Sequence, residues 1–102
     1  MGKLYGNILI LQDFGLGIIE VDSDVAKELK NGLELTTLLI QYMKMDWGIT
    51  NEETIAQNLY SFSINGREKC EWTAKYLTNN NKIILIQTHG IEDKRKTKVS
   101  FI

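Results

Sequence analysis

Apolar residues recur at helical spacing in the middle of the chain and at every second position in its last third, and the two patterns do not mix. Leu35, Leu38, Leu39, Tyr42 and Met43 fall at i, i+3, i+4, i+7 and i+8, which puts them on one stripe of a helix. Ile55, Ala56, Leu59, Tyr60 and Phe62 follow with similar spacing, so a second helix turns a face inward. From residue 67 the period falls to two, and Trp72, Ala74 and Tyr76 share one side of a strand. A chain whose helical and strand segments are segregated in this way folds as α+β, with the helices covering one face of a sheet.

The punctuation between these segments fixes their order. "GNILILQ" (6–12) and "GIIEV" (17–21) are β-rich runs separated by "DFGL", whose Asp and Gly suit a tight turn, so they predict a hairpin. Asp22-Ser23-Asp24 offers an N-cap to a short helix over "DVAKELKN", closed by Gly32. "LELTTLLIQYMK" forms the second helix. Thr50, with Glu53 three residues on, reads as a capping box that opens the third, which ends near Asn65-Gly66. "REKCEWTAKYL" (67–77), the turn "NNN" (79–81), "KIILIQT" (82–88) and "TKVSFI" (97–102) complete a three-stranded meander. The expected architecture is an antiparallel sheet, made of the N-terminal hairpin and the C-terminal meander, packed on one face by about three helices. One domain spans residues 1–102. Pairing Thr78 with Lys82 across the asparagine turn fixes the register. Trp72 then faces Thr88, Ala74 faces Ile86 and Tyr76 faces Ile84, with Glu71 opposite His89 on the other side.

Charge and cysteine content narrow the function classes. A formal net charge of −1 excludes both a uniformly basic nucleic-acid binder and a strongly acidic DNA mimic. Cys70 is the single cysteine, so no internal disulfide forms, and a reducing, cytoplasmic setting is expected. The run "ILIL" is too short for a membrane span and lacks a cleavage site, so neither a leader nor a membrane anchor is expected. Proline is absent and lysine outnumbers arginine by 10 to 2, the mark of an AT-rich gene.

Four groups of residues carry chemistry. Glu71 and His89, paired across two strands, read either as a tuned general base or as a cross-strand pair on a wet face. Cys70 and His89 are the only soft metal ligands, too few for zinc, so no metal and no cofactor are expected. Lys94, Arg95, Lys96 and Lys98 form the one basic run, which reads as phosphate contacts or as lysines that keep an edge strand from pairing. Asp22, Asp24, Glu52 and Glu53 sit at helix starts, where carboxylates favour the dipole, and together they read as an acidic patch for a partner's arginines. The corner Asp46-Trp47-Gly48 has a structural task for each residue. Gly48 supplies a left-handed backbone, Trp47 fills the gap between diverging helices, and Asp46 accepts from amides of the following turn. No nucleophile elbow, phosphate loop or dinucleotide fingerprint is present, no catalytic residue is assigned, and no enzyme is expected.

Leu38-Leu39 before Asp46-Trp47-Gly48, Glu52-Glu53 after it, Asn58, Gly66-Arg67, Tyr76, Thr88 and Thr97 have a spacing that resembles a family of small proteins carried by plasmids and conjugative elements. Its members are labelled as a type I restriction endonuclease subunit M. The resemblance runs from about Val21 to the C-terminus and leaves out the N-terminal hairpin. His89 stands where the family carries Glu, the turn "HGIEDKRK" is longer, and the ending "VSFI" lacks the acidic-aromatic tail. The family implies a fold and a mobile-element setting rather than a reaction. By analogy with anti-CRISPR and anti-restriction proteins, that setting implies a cytosolic, non-enzymatic protein that binds a host defence nuclease, as monomer or homodimer. The alternative is a small nucleic-acid-binding accessory protein of plasmid maintenance that uses the basic run.

Overall fold

Three helices separate two groups of strands, as the change of period requires. The computed structural model describes residues 3–5, 8–10, 18–29, 32–65, 71–91 and 94–102. In chain order the elements are β1 (Lys3–Tyr5), β2 (Ile8–Ile10), β3 (Ile18–Val21), α1 (Ser23–Glu28), α2 (Leu33–Met43), α3 (Glu52–Asn65), β4 (Trp72–Leu77), β5 (Ile83–His89) and β6 (Lys96–Phe101). The class is α+β. All the described strands lie in one six-stranded sheet, ordered β1-β2-β3-β6-β5-β4.

Two details differ from the expected antiparallel hairpin plus meander. An additional strand, β1, pairs antiparallel with β2 and extends the N-terminal side. The two halves join through a parallel pair, with Ile19 beside Thr97 and Val21 beside Val99. The chain leaves β3, passes through three helices, β4 and β5, and returns as β6 in the direction in which β3 left. That pairing places β6 in the sheet's interior. Lysines at 96 and 98 therefore do not guard an edge, as one interpretation of the basic run had it. The expected turn at 13–16, Gly66 at the expected end of the third helix, and the first residues of the strand expected over 67–77, Arg67 and Cys70 among them, lie outside the described residues.

The β4–β5 register is the one the asparagine turn predicts, with Trp72 opposite Thr88, Ala74 opposite Ile86 and Tyr76 opposite Ile84. Alternation then sends Trp72, Ala74, Tyr76, Ile84, Ile86, Val99, Ile19 and Val21 to the helix-covered face, where all are buried. From the helical side α2 contributes Leu35, Leu38, Leu39 and Tyr42, and α1 contributes Val25, backed by Leu29. Each such aliphatic side chain removed from water stabilises the fold by roughly 1.5–3 kcal/mol.

Helix α3 is placed differently from α2. It lies along β4, at the edge of the sheet, and buries only the side that carries Asn58 and Ser61, with Ile55 and Phe62 partly covered. Leu59 and Tyr60, expected on the buried face, are 46% and 68% exposed. An edge position covers a narrower arc of a helix than a position across the sheet, and these two residues fall outside it.

Candidate functional site

Strand β4 is the last of the sheet, and three of its residues turn their peptide groups away from β5. Because Thr78 donates its N–H to the Lys82 carbonyl at 2.8 Å, the bonded pairs run through even positions, and Thr73, Lys75 and Leu77 point outward. An uncovered edge of this kind is a template for pairing with another chain. Two of its three positions are sealed by the corner and by α3.

At Thr73 the seal is the carboxamide of Asn58. Its Nδ2 donates to the Thr73 carbonyl at 2.7 Å and its Oδ1 accepts the Thr73 N–H at 2.9 Å. One side chain thus reproduces the donor and acceptor of a neighbouring strand, and it is buried to 2% exposure. At Lys75 the seal is the segment after Trp47. Ile49 donates its N–H to the Lys75 carbonyl at 2.9 Å, and the Lys75 N–H reaches the Thr50 hydroxyl at 2.8 Å. That hydroxyl donates in turn to the Trp47 carbonyl. Gly48 and Lys75 pair as a single parallel bridge.

Each residue of Asp46-Trp47-Gly48 has a task here, although Gly48 does not end α2. Met45, with φ of 64°, is the left-handed residue that closes the helix. Its N–H returns to the Tyr42 carbonyl at 3.1 Å, and that of Asp46 to the Gln41 carbonyl at 2.9 Å. Gly48 instead uses its φ of 61° to lie against β4, where a β-carbon would stand 2.5 Å from Tyr76 Cδ1 and 2.6 Å from the Lys75 carbonyl oxygen. Asp46 accepts the Gly48 N–H at 3.3 Å, and its own carbonyl accepts the Tyr76 hydroxyl at 2.6 Å. Burial, and then the nearby Asp46 charge, push the Tyr76 phenol above its ordinary range. Trp47 is wedged between Tyr42 and Trp72, with ring centres 5.8 and 5.2 Å away and planes nearly perpendicular. Edge-to-face pairs of this kind are worth about 0.5–1.5 kcal/mol each beyond their area. The Tyr42 hydroxyl continues inward to Thr88 at 2.9 Å, and Thr88 to Thr97 at 2.7 Å.

The third helix starts one residue later than the capping box at Thr50 and Glu53 predicts. Asn51 is the cap, its side-chain oxygen accepting the Thr54 N–H at 2.8 Å, because the Thr50 hydroxyl is engaged on Trp47 and Lys75.

The four acidic residues form two groups. Asp22 and Asp24 lie at the junction of β3 and α1, where Asp22 donates its N–H to the Val99 carbonyl at 2.9 Å. Glu52 and Glu53 open α3 beyond β4, on the other side of β6 and β5 in the sheet order. The basic run is divided by strand alternation. Arg95 is 7% exposed, whereas Lys94, Lys96 and Lys98 face solvent. Lys98 lies beside Glu20 and Gln87, and Lys96 beside His89. Glu71, Thr73, Gln87, His89 and Lys98 line a shallow hollow on the open face of the sheet, but no ion pair joins Glu71 to His89. Among the described residues no group of three or more His, Cys, Asp or Glu side chains is placed to hold a metal ion. No described helix is long and apolar enough to cross a membrane.

The residues missed in the sequence are those on the outer face of α3. Leu59, Tyr60 and Ile64, the last 59% exposed, follow Glu52, Glu53 and Ala56 along one side of the helix. A signal was there: apolar residues in 55–64 are too many for one face, since Ile55 and Phe62 already account for the inner one. No protein-family model, curated protein or solved structure matches this chain.

Proposed function

We propose that this protein works by contact, as a stoichiometric inhibitor that binds a host defence nuclease, with an RNA-guided nuclease as the first candidate. The observation that carries the proposal is the outer face of α3. It exposes Leu59, Tyr60 and Ile64 on the side of the helix whose first turn carries Glu52 and Glu53, and the helix contains no lysine or arginine. Such a helix suits an apolar depression with cationic walls, the kind of surface a nuclease presents along its nucleic-acid channel. A stable contact of this type buries roughly 800 Å² on each partner, so the helix serves as the centre of a larger interface. The mobile-element resemblance, carried by Asp46-Trp47-Gly48, Asn58 and Thr88, supplies the setting.

The test is a cleavage assay in which purified protein is titrated against guide-loaded type II nucleases and type I restriction complexes. Cleavage that stops near equimolar protein supports inhibition by contact, and order of addition identifies the blocked step. Changing Tyr60 and Leu59 together to Asp lowers inhibition at least tenfold while the fold, measured by circular dichroism, is kept. No effect on any nuclease at large excess removes the proposal.

A second proposal, nucleic-acid binding, rests on the placement of Lys96 beside His89 and Lys98 beside Gln87 on the open sheet face. It requires a mobility shift that weakens with salt and disappears when both lysines become Glu. A shift unchanged in that double variant excludes this face.

A further inference from the structure

The seal on β4 stops one residue short of the strand's end. Thr73 and Lys75 have both peptide groups paired by Asn58, Ile49 and Thr50, but the outward N–H and C=O of Leu77 have no partner among the described residues. Beside Leu77 lies a groove of about 580 Å³ between the end of α1, the start of α2 and the β4–β5 turn. Leu29, Leu33 and Leu38 line it from the helical side, Leu77 borders it at the strand's end, and Glu28 and Glu34 lie beside them. Leu33 is 58% exposed.

The two carboxylates are fixed in place. Glu34 accepts the Asn79 N–H at 2.7 Å, and Glu28 accepts from Asn80 at 2.8 Å and pairs with Lys82 at 3.2 Å. The Asn80 bond, and then Lys82, keep the Glu28 carboxyl below its ordinary range, so it stays ionised at neutral pH. Three chemistries therefore meet in one place: an unpaired strand-edge peptide, aliphatic walls and a negative rim.

We propose that this groove binds an extended segment of a partner protein that adds to β4 at Leu77. The segment places an aliphatic side chain against Leu33 and Leu38 on the helix side and a lysine or arginine against Glu34. Strand addition draws affinity from main-chain bonds and specificity from alternate side chains, and the groove offers a receptor for each. The segment does not continue along β4, because Lys75 and Thr73 are already paired. Recognition is thus confined to a few residues at the strand's end. The site is separate from the outer face of α3 and does not rest on the nuclease proposal.

The experiment uses the full chain, labelled with ¹⁵N, and a capped pentapeptide of alternating leucine and lysine as probe. Addition of the peptide is expected to shift the amide resonances of Leu77, Glu34 and Thr37. Two further peptides carry methylated backbone nitrogens at either the odd or the even positions. One of them is expected to bind at least tenfold more weakly and the other to match the parent, since only one edge of the probe faces Leu77. Replacing the lysines by glutamates, or Leu33→Glu in the protein, each weakens binding at least tenfold. A Leu77 resonance that stays still at millimolar peptide overturns the proposal, as do methylated isomers of equal affinity. Shifts at Leu77 that grow with protein concentration alone would make a second copy the occupant and overturn it as well.

Discussion

Asn58 shows how one side chain substitutes for a strand. Its carboxamide gives β4 the donor and the acceptor that an edge lacks, from a buried position where water cannot replace it. Asn58→Ala therefore leaves an N–H and a C=O unpaired, each at a cost of about 1–3 kcal/mol. The denaturant midpoint falls accordingly, and the Thr73 amide loses protection from hydrogen exchange. Asn58→Asp keeps the acceptor and loses the donor, so it retains protection at Thr73 but still lowers stability. Protection at Thr73 that survives Asn58→Ala would show that the carboxamide is dispensable. Gly48 is constrained twice, by a left-handed φ of 61° and by the closeness of Tyr76 and Lys75. The conformational penalty alone is about 1 kcal/mol for a residue with a β-carbon, and the contact adds to it. Gly48→Ala is expected to cost more than 2 kcal/mol in chemical denaturation, above what backbone conformation alone explains.

The start of α3 separates what the sequence states from what the fold decides. Thr50 and Glu53 have the spacing of a capping box, yet Thr50 is bound to Trp47 and Lys75, and Asn51 takes its place. Asn51→Ala should destabilise the protein by ~1 kcal/mol, whereas Glu53→Ala should stay within ~0.5 kcal/mol. Equal losses from the two would restore the capping box. The same distinction governs the rest of the chain. The α2 stripe, the asparagine turn and the β4–β5 register were legible because each depends on local spacing and alternation. Three features were not. The parallel pairing of β3 with β6 depends on where the chain returns after three helices, which no local pattern encodes. Arg95 turns inward by alternation with Thr97 and Val99, and which face of β6 is covered is set by the helices above the sheet rather than by the run itself. The exposure of Leu59 and Tyr60 follows from α3 lying at an edge, and the excess of apolar residues in 55–64 signals an outer face without saying which of them stay on it. Of the candidate site, the Asp46-Trp47-Gly48 corner was legible as a joint, but its partner strand was not, because Lys75 and Tyr76 are far from it in sequence.

At the scale of the whole molecule, the helical layer and the sheet are fastened where Tyr76, Trp47 and Asp46 meet. The Tyr76 hydroxyl donates to the Asp46 carbonyl at 2.6 Å, and so ties the end of α2 to β4. Burial and the Asp46 charge both favour the neutral phenol, so its folded value lies above the ordinary one. The sign of the consequence is fixed. Below about pH 10 the tyrosine is protonated in both states and its contribution is intact. Above it the unfolded chain releases a proton that the folded chain retains, so stability falls as pH rises. One such proton gives a slope of at most ~1.4 kcal/mol per pH unit. Urea denaturation between pH 8 and pH 11 should thus show a plateau followed by a decline. Tyr76→Phe removes the titrating group together with its bond. It should cost ~1 kcal/mol at neutral pH and flatten the alkaline decline relative to the parent. A decline equally steep in Tyr76→Phe would move the alkaline sensitivity to another group and leave this fastening a packing contact without a proton linkage.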